Sequence, residues 1–116
     1  MAKYFYAVLT KATPGKAEEF HQWYDDQHIK DAVATPGVVS AKRFRIQYEV
    51  GAGSVVKDSP YDSLAIYEMD TDDPVAVAKE LSGRAGSPAM PLTDALDRAA
   101  SIKYVATAAG VWPKED

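Results

Sequence analysis

The sequence predicts a single α+β domain with a ferredoxin-like order of elements, and three observations support that prediction. Four runs rich in aromatic and β-branched residues have the composition of strands, and two segments have the periodicity of amphipathic helices. Pro and Gly residues mark the turns between them. The resulting order is β-α-β-β-α-β, in which two helices cover one face of a four-stranded antiparallel sheet, and 116 residues are most simply one such domain.

The first strand and the first helix lie in the N-terminal third of the chain. Tyr4–Thr10 is rich in aromatic and aliphatic residues and is expected to form the strand. Thr13 is a candidate cap for the helix, with Pro14 at or near its first position. The helix is expected over about Lys16–Val33, and Pro36-Gly37 ends it.

The middle of the chain predicts two strands joined by a loop. Val38–Val50 is expected to be a long second strand, and Ser63–Met69 is the third. The segment Gly51–Pro60 between them is rich in Gly and Ser and is expected to be a mobile hairpin loop. Alternation along the second strand puts six side chains on one face: Val38, Ser40, Lys42, Phe44, Ile46 and Tyr48.

The last third predicts the second helix and the fourth strand. Asp73 is suited to cap the helix, Pro74 to occupy its first turn, and Gly83 to end it. A short helix is expected near Leu92–Arg98 in a segment interrupted by Pro and Gly. Ile102–Ala108 is the last strand, and residues 111–116 form a tail.

Both faces of the first and third strands carry apolar side chains, although the helices can cover only one face of the sheet. An uncovered apolar face is a site of association, and the simplest partner is a second copy of the chain. We therefore expect a homodimer in which two sheets face each other. A pocket for a small hydrophobic molecule is expected between the sheet and the helix ends, and the sequence leaves open which sheet face lines it.

Composition excludes several classes of function. The net charge of −4 argues against a nucleic-acid partner, since phosphate binding requires a basic surface. The chain has no Cys, which excludes disulfides, thiolate nucleophiles and zinc–sulfur sites. The apolar run near the N-terminus is better explained as a strand than as a signal peptide, and no apolar stretch is long enough to cross a bilayer. A cytoplasmic protein without a membrane partner is expected.

The first helix also carries a family resemblance. Phe20, Trp23-Tyr24, His28 and Pro36-Gly37-Val38 together resemble the helix signature of the dimeric α/β-barrel superfamily, and most closely its EthD-like branch. The order of elements fits as well. This resemblance implies a dimer with one pocket per subunit and places His28 at the pocket edge. Members of the superfamily include cofactor-free lactone isomerases, polyketide cyclases, decarboxylases and oxygenases, so the resemblance does not determine the reaction.

His28 is the leading candidate for acid–base chemistry. It lies four residues after Tyr24, which lies four after Phe20, so the three side chains should share one face of the helix. An imidazole with an ordinary pKa of about 6.5 can exchange a proton near neutrality. The alternative is a structural imidazole that caps backbone carbonyls or pairs with Asp25 or Asp31.

The other polar candidates are less specific. His21 is expected at the surface, and the two histidines lack the further ligands that a metal site requires. Lys42, Arg43 and Arg45 could clamp a carboxylate or an enolate, but charges that protect an exposed sheet edge explain them more simply. The glycines fit no phosphate-binding motif.

Aromatic residues supply the remaining candidates. Trp23 and Tyr24 could wall a pocket for a flat ligand, although core packing explains an aromatic stripe equally well. Strand tyrosines could bind a ligand oxygen or donate a proton if they face the cavity, and otherwise they would close the dimer. Tyr6 and Tyr67 are the candidates for a catalytic role, and Tyr4 and Tyr104 for binding.

These features favour a small cofactor-independent enzyme that acts on a hydrophobic, oxygenated molecule by proton transfer at His28. Isomerisation, cyclisation, dehydration and decarboxylation are all compatible with such a site. The alternative is a dimer that binds a small ligand, or responds to stress, without catalysis. A third hypothesis is a haem-degrading or cofactor-free oxygenase, and no motif in the sequence indicates haem.

Overall fold

A computed structural model describes residues 2–114 and confirms the ferredoxin-like α+β fold. The strands are β1 (Lys3–Thr10), β2 (Val38–Arg45), β3 (Glu49–Val50), β4 (Val56–Lys57), β5 (Ser63–Asp70) and β6 (Ile102–Ala106). The helices are α1 (Ala17–Trp23), α2 (Ile29–Val33) and α3 (Pro74–Arg84). A π-helical turn over Tyr24–His28 joins α1 to α2, so that the three segments form one continuous helix.

The sheet is antiparallel, with strand order β2-β5-β1-β6. Its centre is β1, in which Tyr6 lies opposite Tyr67 of β5 and Val8 lies opposite Lys103 of β6. Because side chains alternate along a strand, these residues share the face on which the helices pack. The core lies there, and Phe20 of α1 and Met69 of β5 are fully buried in it.

The second helix begins as the sequence predicts. The Asp73 carboxylate accepts a hydrogen bond of 3.1 Å from the backbone N–H of Ala76, and Pro74 is the first residue of α3. The helix continues one residue past Gly83 to Arg84. The first helix begins differently, because Lys16 occupies the cap position and no side chain caps the helix there. The hydroxyl of Thr13, the predicted cap, instead donates to the Asp94 carbonyl at 2.7 Å.

The predicted second strand is wrong in length and partly wrong in its faces. It ends at Arg45, and β3 pairs with β4 in a separate two-stranded hairpin that includes part of the predicted loop Gly51–Pro60. A bulge between Val38 and Ser40 adds one residue to β2. Val38 therefore faces the core opposite Met69, while Ser40 and the following alternate residues face away from it.

The segment between α3 and β6 is also different from the prediction. No α-helix forms over Leu92–Arg98, and the regular element there is a short 3₁₀ turn over Arg98–Ala100. The segment is held to the sheet by the pairing of Leu96 with Ala12 and by a backbone hydrogen bond from Asp97 to Lys11. Its irregular path covers the opening between the helices and β1, which is where the candidate site lies.

The turn that carries the chain from the first helix into β2 depends on Gly37. Its φ is +94°, and a Cβ built there would lie 2.7 Å from a methyl carbon of Val77 in α3. Gly15 also has a positive φ, +81°, but no atom lies within 4 Å of its built Cβ. The two glycines thus share the backbone requirement and differ in the space around them.

We expect Gly37→Ala to destabilise the fold more than Gly15→Ala. The left-handed backbone should lower the free energy of unfolding by about 1–2 kcal/mol in each variant, and the contact with Val77 should add about 1–3 kcal/mol in Gly37→Ala alone. Urea unfolding of both variants measures the difference. Equal losses would show that α3 does not hold this turn closely.

Candidate functional site

A cavity of about 300 Å³ lies between the helix-covered face of the sheet and the first helix. Strands β1, β5 and β6, both ends of the π-helical turn, α3 and the segment that follows α3 all contribute to its lining. Its lining combines apolar side chains with hydroxyl, imidazole and cationic groups. A concave apolar site with a small number of convergent polar groups is the usual form of a small-molecule site.

Five of the seven aromatic and imidazole candidates line this cavity: Tyr6, Trp23, Tyr24, His28 and Tyr67. Two do not. Tyr4 is on the inner face of β1 but packs against the core outside the cavity lining. Tyr104 lies on the opposite face of the sheet with 64% of its surface exposed, because its partner in the register is Ala7 rather than an inward-facing residue. Tyr104 is therefore not part of the candidate site.

The π-helical turn positions His28 against two aromatic rings. The backbone N–H of Ile29 donates to the carbonyl of Tyr24, five residues earlier, which widens the helix at this point. The widened turn brings residues five apart into contact, and the His28 ring stacks on Trp23 with a centroid separation of 4.5 Å and an interplanar angle of 23°. Its edge contact with Tyr24, at 4.9 Å, is the one that the sequence spacing predicts.

The His28 imidazole is neutral at physiological pH. Burial lowers its pKa from 6.5 to about 4; the Asp31 carboxylate opposes this shift and Lys103 adds to it. Neither neighbouring carboxylate forms a hydrogen bond with the ring. Asp31 accepts instead from the Gln27 amide at 2.9 Å, and Asp25 binds Arg43. The buried Nδ1 atom of His28 has no hydrogen-bond partner among the described residues.

The indole ring of Trp23 is also anchored outside the helix. Its indole N–H donates to the Pro91 carbonyl at 3.3 Å, which fixes the ring between the helix and the segment after α3. The ring that stacks on His28 is therefore anchored to a second element, so the orientation of the imidazole does not depend on the helix alone. This supports a precise position for His28 at the cavity wall.

Two tyrosine hydroxyls form a pair in the site. The hydroxyl oxygens of Tyr24 and Tyr67 are 3.1 Å apart, and both side chains are buried. Burial raises the pKa of Tyr24, and it raises the pKa of Tyr67 well above 10.0 with a further contribution from Tyr24. Both phenols consequently remain protonated. One of the two hydroxyl protons occupies the bond between them, which leaves the other free to donate to a ligand oxygen.

Arg43 supports this tyrosine pair, contrary to the sequence interpretation of an exposed edge charge. Its side chain is only 7% exposed, and its guanidinium lies 4.9 Å from the centroid of the Tyr24 ring. It donates to Asp25 at 2.7 Å, to the ring Nδ1 of His21 at 3.1 Å and to Ser63 at 3.2 Å. Lys42 and Arg45 do lie exposed on β2, as expected.

The same network corrects the expectation that His21 is a surface residue. His21 is 8% exposed, because its side chain is enclosed between the helix and β2. A guanidinium can only donate, so His21 Nδ1 must accept from Arg43 and the ring is neutral. Burial lowers the pKa of His21, and the nearby cations Arg45 and Arg43 lower it further. His21 thus has a structural role outside the cavity lining.

Several lining residues were not identified from the sequence. The Thr10 hydroxyl, like His28 Nδ1, is buried without a hydrogen-bond partner among the described residues. Arg98 and Lys103 bring two cations to the lining, and Ser82 brings a further hydroxyl. The alternation of β1 could have indicated Thr10, which shares a face with Tyr6. No periodic signal marks Arg98, because it follows an irregular segment.

The described residues contain no cluster of three or more side chains suited to hold a metal ion. They also contain no helix with the length and apolar composition needed to cross a membrane. The polar groups of the site are an imidazole, hydroxyls and cations, which favour contacts to an organic molecule that carries oxygen.

Known structures of the same fold extend over nearly the whole chain. SnoaB, a cofactor-independent oxygenase from Streptomyces nogalater, covers 98% of this chain and 100% of its own at 16% identity, with a TM-score of 0.63. A Shewanella loihica PV-4 protein with a suggested monooxygenase activity covers 95% and 97% at 13% identity, with a TM-score of 0.58. An EthD-family protein from Bacillus halodurans c-125 covers 93% and 99% at 19% identity, with a TM-score of 0.50.

These comparisons confirm at the level of fold the resemblance seen in the first helix. The chain has the ferredoxin-like α+β fold shared by SnoaB and the EthD-family protein. The sequence matches no protein-family model and no curated protein. The likeness therefore defines the class of fold, and the chemistry must be argued from the residues of the cavity.

We expect His28 to titrate near pH 4 in the folded protein. Ring resonances followed by NMR from pH 7 downward should show a neutral imidazole until well below 6, because burial opposes its charged form. His28→Gln should remove that titration, whereas His21→Gln should leave it in place. A His28 pKa near 6.5 would show that the ring is solvated rather than enclosed.

The same shift should make stability depend on pH. Below about 6.5 the unfolded chain binds a proton at His28 that the folded chain does not, so wild type should lose up to ~3 kcal/mol as the pH falls toward 4. His28→Gln should lack this part of the loss. Urea unfolding of both proteins between pH 7 and pH 4 measures it, and parallel curves would contradict the assignment.

Proposed function

We propose that the protein is a cofactor-independent enzyme that acts on a hydrophobic, oxygenated small molecule by proton transfer. One observation carries the proposal. A neutral imidazole with a buried ring nitrogen that has no hydrogen-bond partner among the described residues lies at the wall of the cavity, beside a pair of protonated tyrosine hydroxyls. A buried polar atom without a partner destabilises a fold by about 1–3 kcal/mol, so its retention supports a role in ligand contact.

The chemistry would begin with transfer of a substrate proton to His28. Since the unliganded imidazole is a weak base, the acceptor alone cannot drive the step, and the substrate must be made more acidic by its surroundings. The hydroxyls of Tyr67 and Thr10 are suited to donate to the oxygen on which negative charge develops. Tyr6, whose ring lies 6.5 Å from that of Tyr67, extends the same polar side of the cavity.

The fate of the proton would then define the reaction class. Return from His28 to a different atom gives isomerisation, and loss of a leaving group from the anion gives dehydration or another elimination. The fold of SnoaB supports a second candidate, in which the anion reacts with dioxygen as co-substrate. Ligand binding without reaction is the non-catalytic alternative, and it would use the same cavity.

We also propose that the protein functions as a homodimer. On the face of the sheet that the helices leave open, Phe44, Leu64, Leu9 and Ile102 form one continuous cross-strand row. Tyr104 and Ile66 extend this apolar surface in the next row. Phe44 and Tyr104 are 49% and 64% exposed in the single chain. A second sheet packed face to face would remove this surface from water, as in a sandwich.

Deuterium exchange into 2-tetralone tests proton transfer directly. This flat, enolisable ketone should exchange its acidic C–H protons in D₂O faster in the presence of wild type, as followed by proton NMR. Replacement of the base in His28→Gln should slow the protein-dependent rate about 10²–10⁴-fold. His21→Gln is the matched control, because it removes the imidazole outside the cavity and should retain the rate.

The outcomes separate the candidates. Binding of 2-tetralone without faster exchange would reject catalysis on this class of ketone and favour the non-catalytic alternative. Oxygen uptake together with an oxygenated product by mass spectrometry would favour the oxygenase. An unchanged rate in folded His28→Gln would remove His28 from the mechanism.

We expect wild type to sediment as a dimer at micromolar concentration and Leu64→Glu to sediment as a monomer. The substitution places a charge between Leu9 and Phe44 in the open face, where burial against a second sheet would be strongly unfavourable. Val75→Glu adds the same charge on exposed α3 and should remain dimeric. A monomeric wild type would contradict the proposed assembly.

A further inference from the structure

The charge around the cavity differs from the charge of the whole chain. The protein has a net charge of −4, yet the lining formed by the described residues carries the cations of Arg98 and Lys103 and no carboxylate. Both cations are exposed to solvent, which places their charged groups at the mouth rather than in the interior. The apolar and aromatic residues line the space behind them.

The ion pairing of Arg98 and Lys103 differs from that of the other three arginines of the chain. Among the described residues neither forms a salt bridge, whereas Arg43, Arg45 and Arg84 all do. Asp31 affects the pKa of His28 but does not line the cavity, and its carboxylate accepts from Gln27. Two positive charges at the mouth of the cavity, neither of them in a salt bridge within residues 2–114, create a local field that attracts anions.

The backbone holds both residues in defined positions. Lys103 lies on the inner face of β6, directly opposite Val8 of the central strand. Arg98 begins the short 3₁₀ turn, which is capped by the Asp97 carboxylate through a bond of 3.2 Å from the backbone N–H of Ala99. Because the chain fixes both Cα positions, only the flexible side chains need to adjust to a ligand.

We infer that the site recognises an amphiphilic carboxylate, with the carboxylate held at the mouth by Arg98 and Lys103 and a flat hydrophobic body inside. This inference rests on the proposed function and specifies its substrate class. A carboxylate matches the geometry of a guanidinium, because the planar donors can form two parallel hydrogen bonds to its oxygens.

Such an orientation also relates binding to the proposed chemistry. Anchoring the anion at the mouth leaves the aromatic body to contact Trp23 and to present its own oxygen to the inner groups. The inner polar groups are His28, the Thr10 hydroxyl and the Tyr24–Tyr67 pair. The carboxylate would thus set which part of the molecule faces the imidazole, which is a positioning role for the two cations.

Calorimetric titration with matched acids and amides tests the inference without any turnover. The probes are benzoic, 2-naphthoic and anthracene-2-carboxylic acids and the corresponding carboxamides, so that size and charge vary separately. For the ring system that fits, the acid should bind wild type at least about fivefold more tightly than the amide. The preference should decrease with added salt, since exposed ion pairs are screened.

Variants identify the residues responsible. Arg98→Gln and Lys103→Gln should each weaken acid binding about two- to fivefold and leave amide binding unchanged, and the double variant should lose the preference. Lys30→Gln is the matched control, because this exposed cation lies outside the cavity lining and should have no effect.

The results distinguish this inference from the proposed function. Equal affinity for acid and amide, or equal weakening of both by the variants, would overturn the carboxylate assignment while exchange into 2-tetralone could still support proton transfer. A clear preference for acids with no exchange activity would support the recognition site and reject catalysis on that ketone. Absence of binding by every probe would overturn the inference.

Discussion

The site depends on the burial of polar aromatic side chains between one helix and a sheet. Burial removes the hydrogen bonds that water would provide, so each polar atom must find a partner in the protein or a ligand. The hydroxyl oxygens of Tyr24 and Tyr67 are 3.1 Å apart and form a hydrogen bond with each other. The Arg43 guanidinium packs over the ring of Tyr24. Within the described part of the chain, His28 Nδ1 and the Thr10 hydroxyl have no hydrogen-bond partner, and both residues line the cavity.

This contrast separates structural polar groups from candidate functional ones. The Arg43 network is complete, since the guanidinium donates to a carboxylate, an imidazole and a hydroxyl. Removal of any member would leave a buried charge or donor unpaired, which explains a structural role for His21. His21 is buried, His28 is partly buried, and both rings are neutral; their hydrogen bonds and their positions relative to the cavity distinguish their roles.

Much of the fold follows from local patterns that do not require tertiary information. Strand composition and helical periodicity predict the order of elements, and Asp73-Pro74 predicts the start of α3 to the residue. The errors lie where a distant contact decides the outcome. In the pairing with β5, the bulge after Val38 places this side chain on the opposite face from Ser40. The Thr13 hydroxyl donates to the carbonyl of Asp94, 81 residues later, instead of capping the helix.

The residues of the candidate site likewise fall into those that local sequence patterns identify and those that depend on distant contacts. Residues on the helix and on β1 and β5 could be identified because spacing and alternation place them on known faces. Arg98 could not, since it enters the site from an irregular segment whose path depends on the pairing of Leu96 with Ala12. The sequence favours an exposed Arg43 because an edge strand usually carries solvated charges, whereas in the structure the helix covers this edge.

The weakness of His28 as a base in the empty cavity follows chiefly from burial, and the charge of Lys103, which would attract an anion, adds to it. Lys103 disfavours the imidazolium, and it does so most strongly when its charge has no counterion. In the proposed complex a bound carboxylate would offset that charge and remove one part of the shift, while burial would still keep the pKa of His28 below its ordinary value. The imidazole would then be a slightly stronger base in the liganded site, so that recognition at the mouth and proton transfer inside would be linked through one lysine.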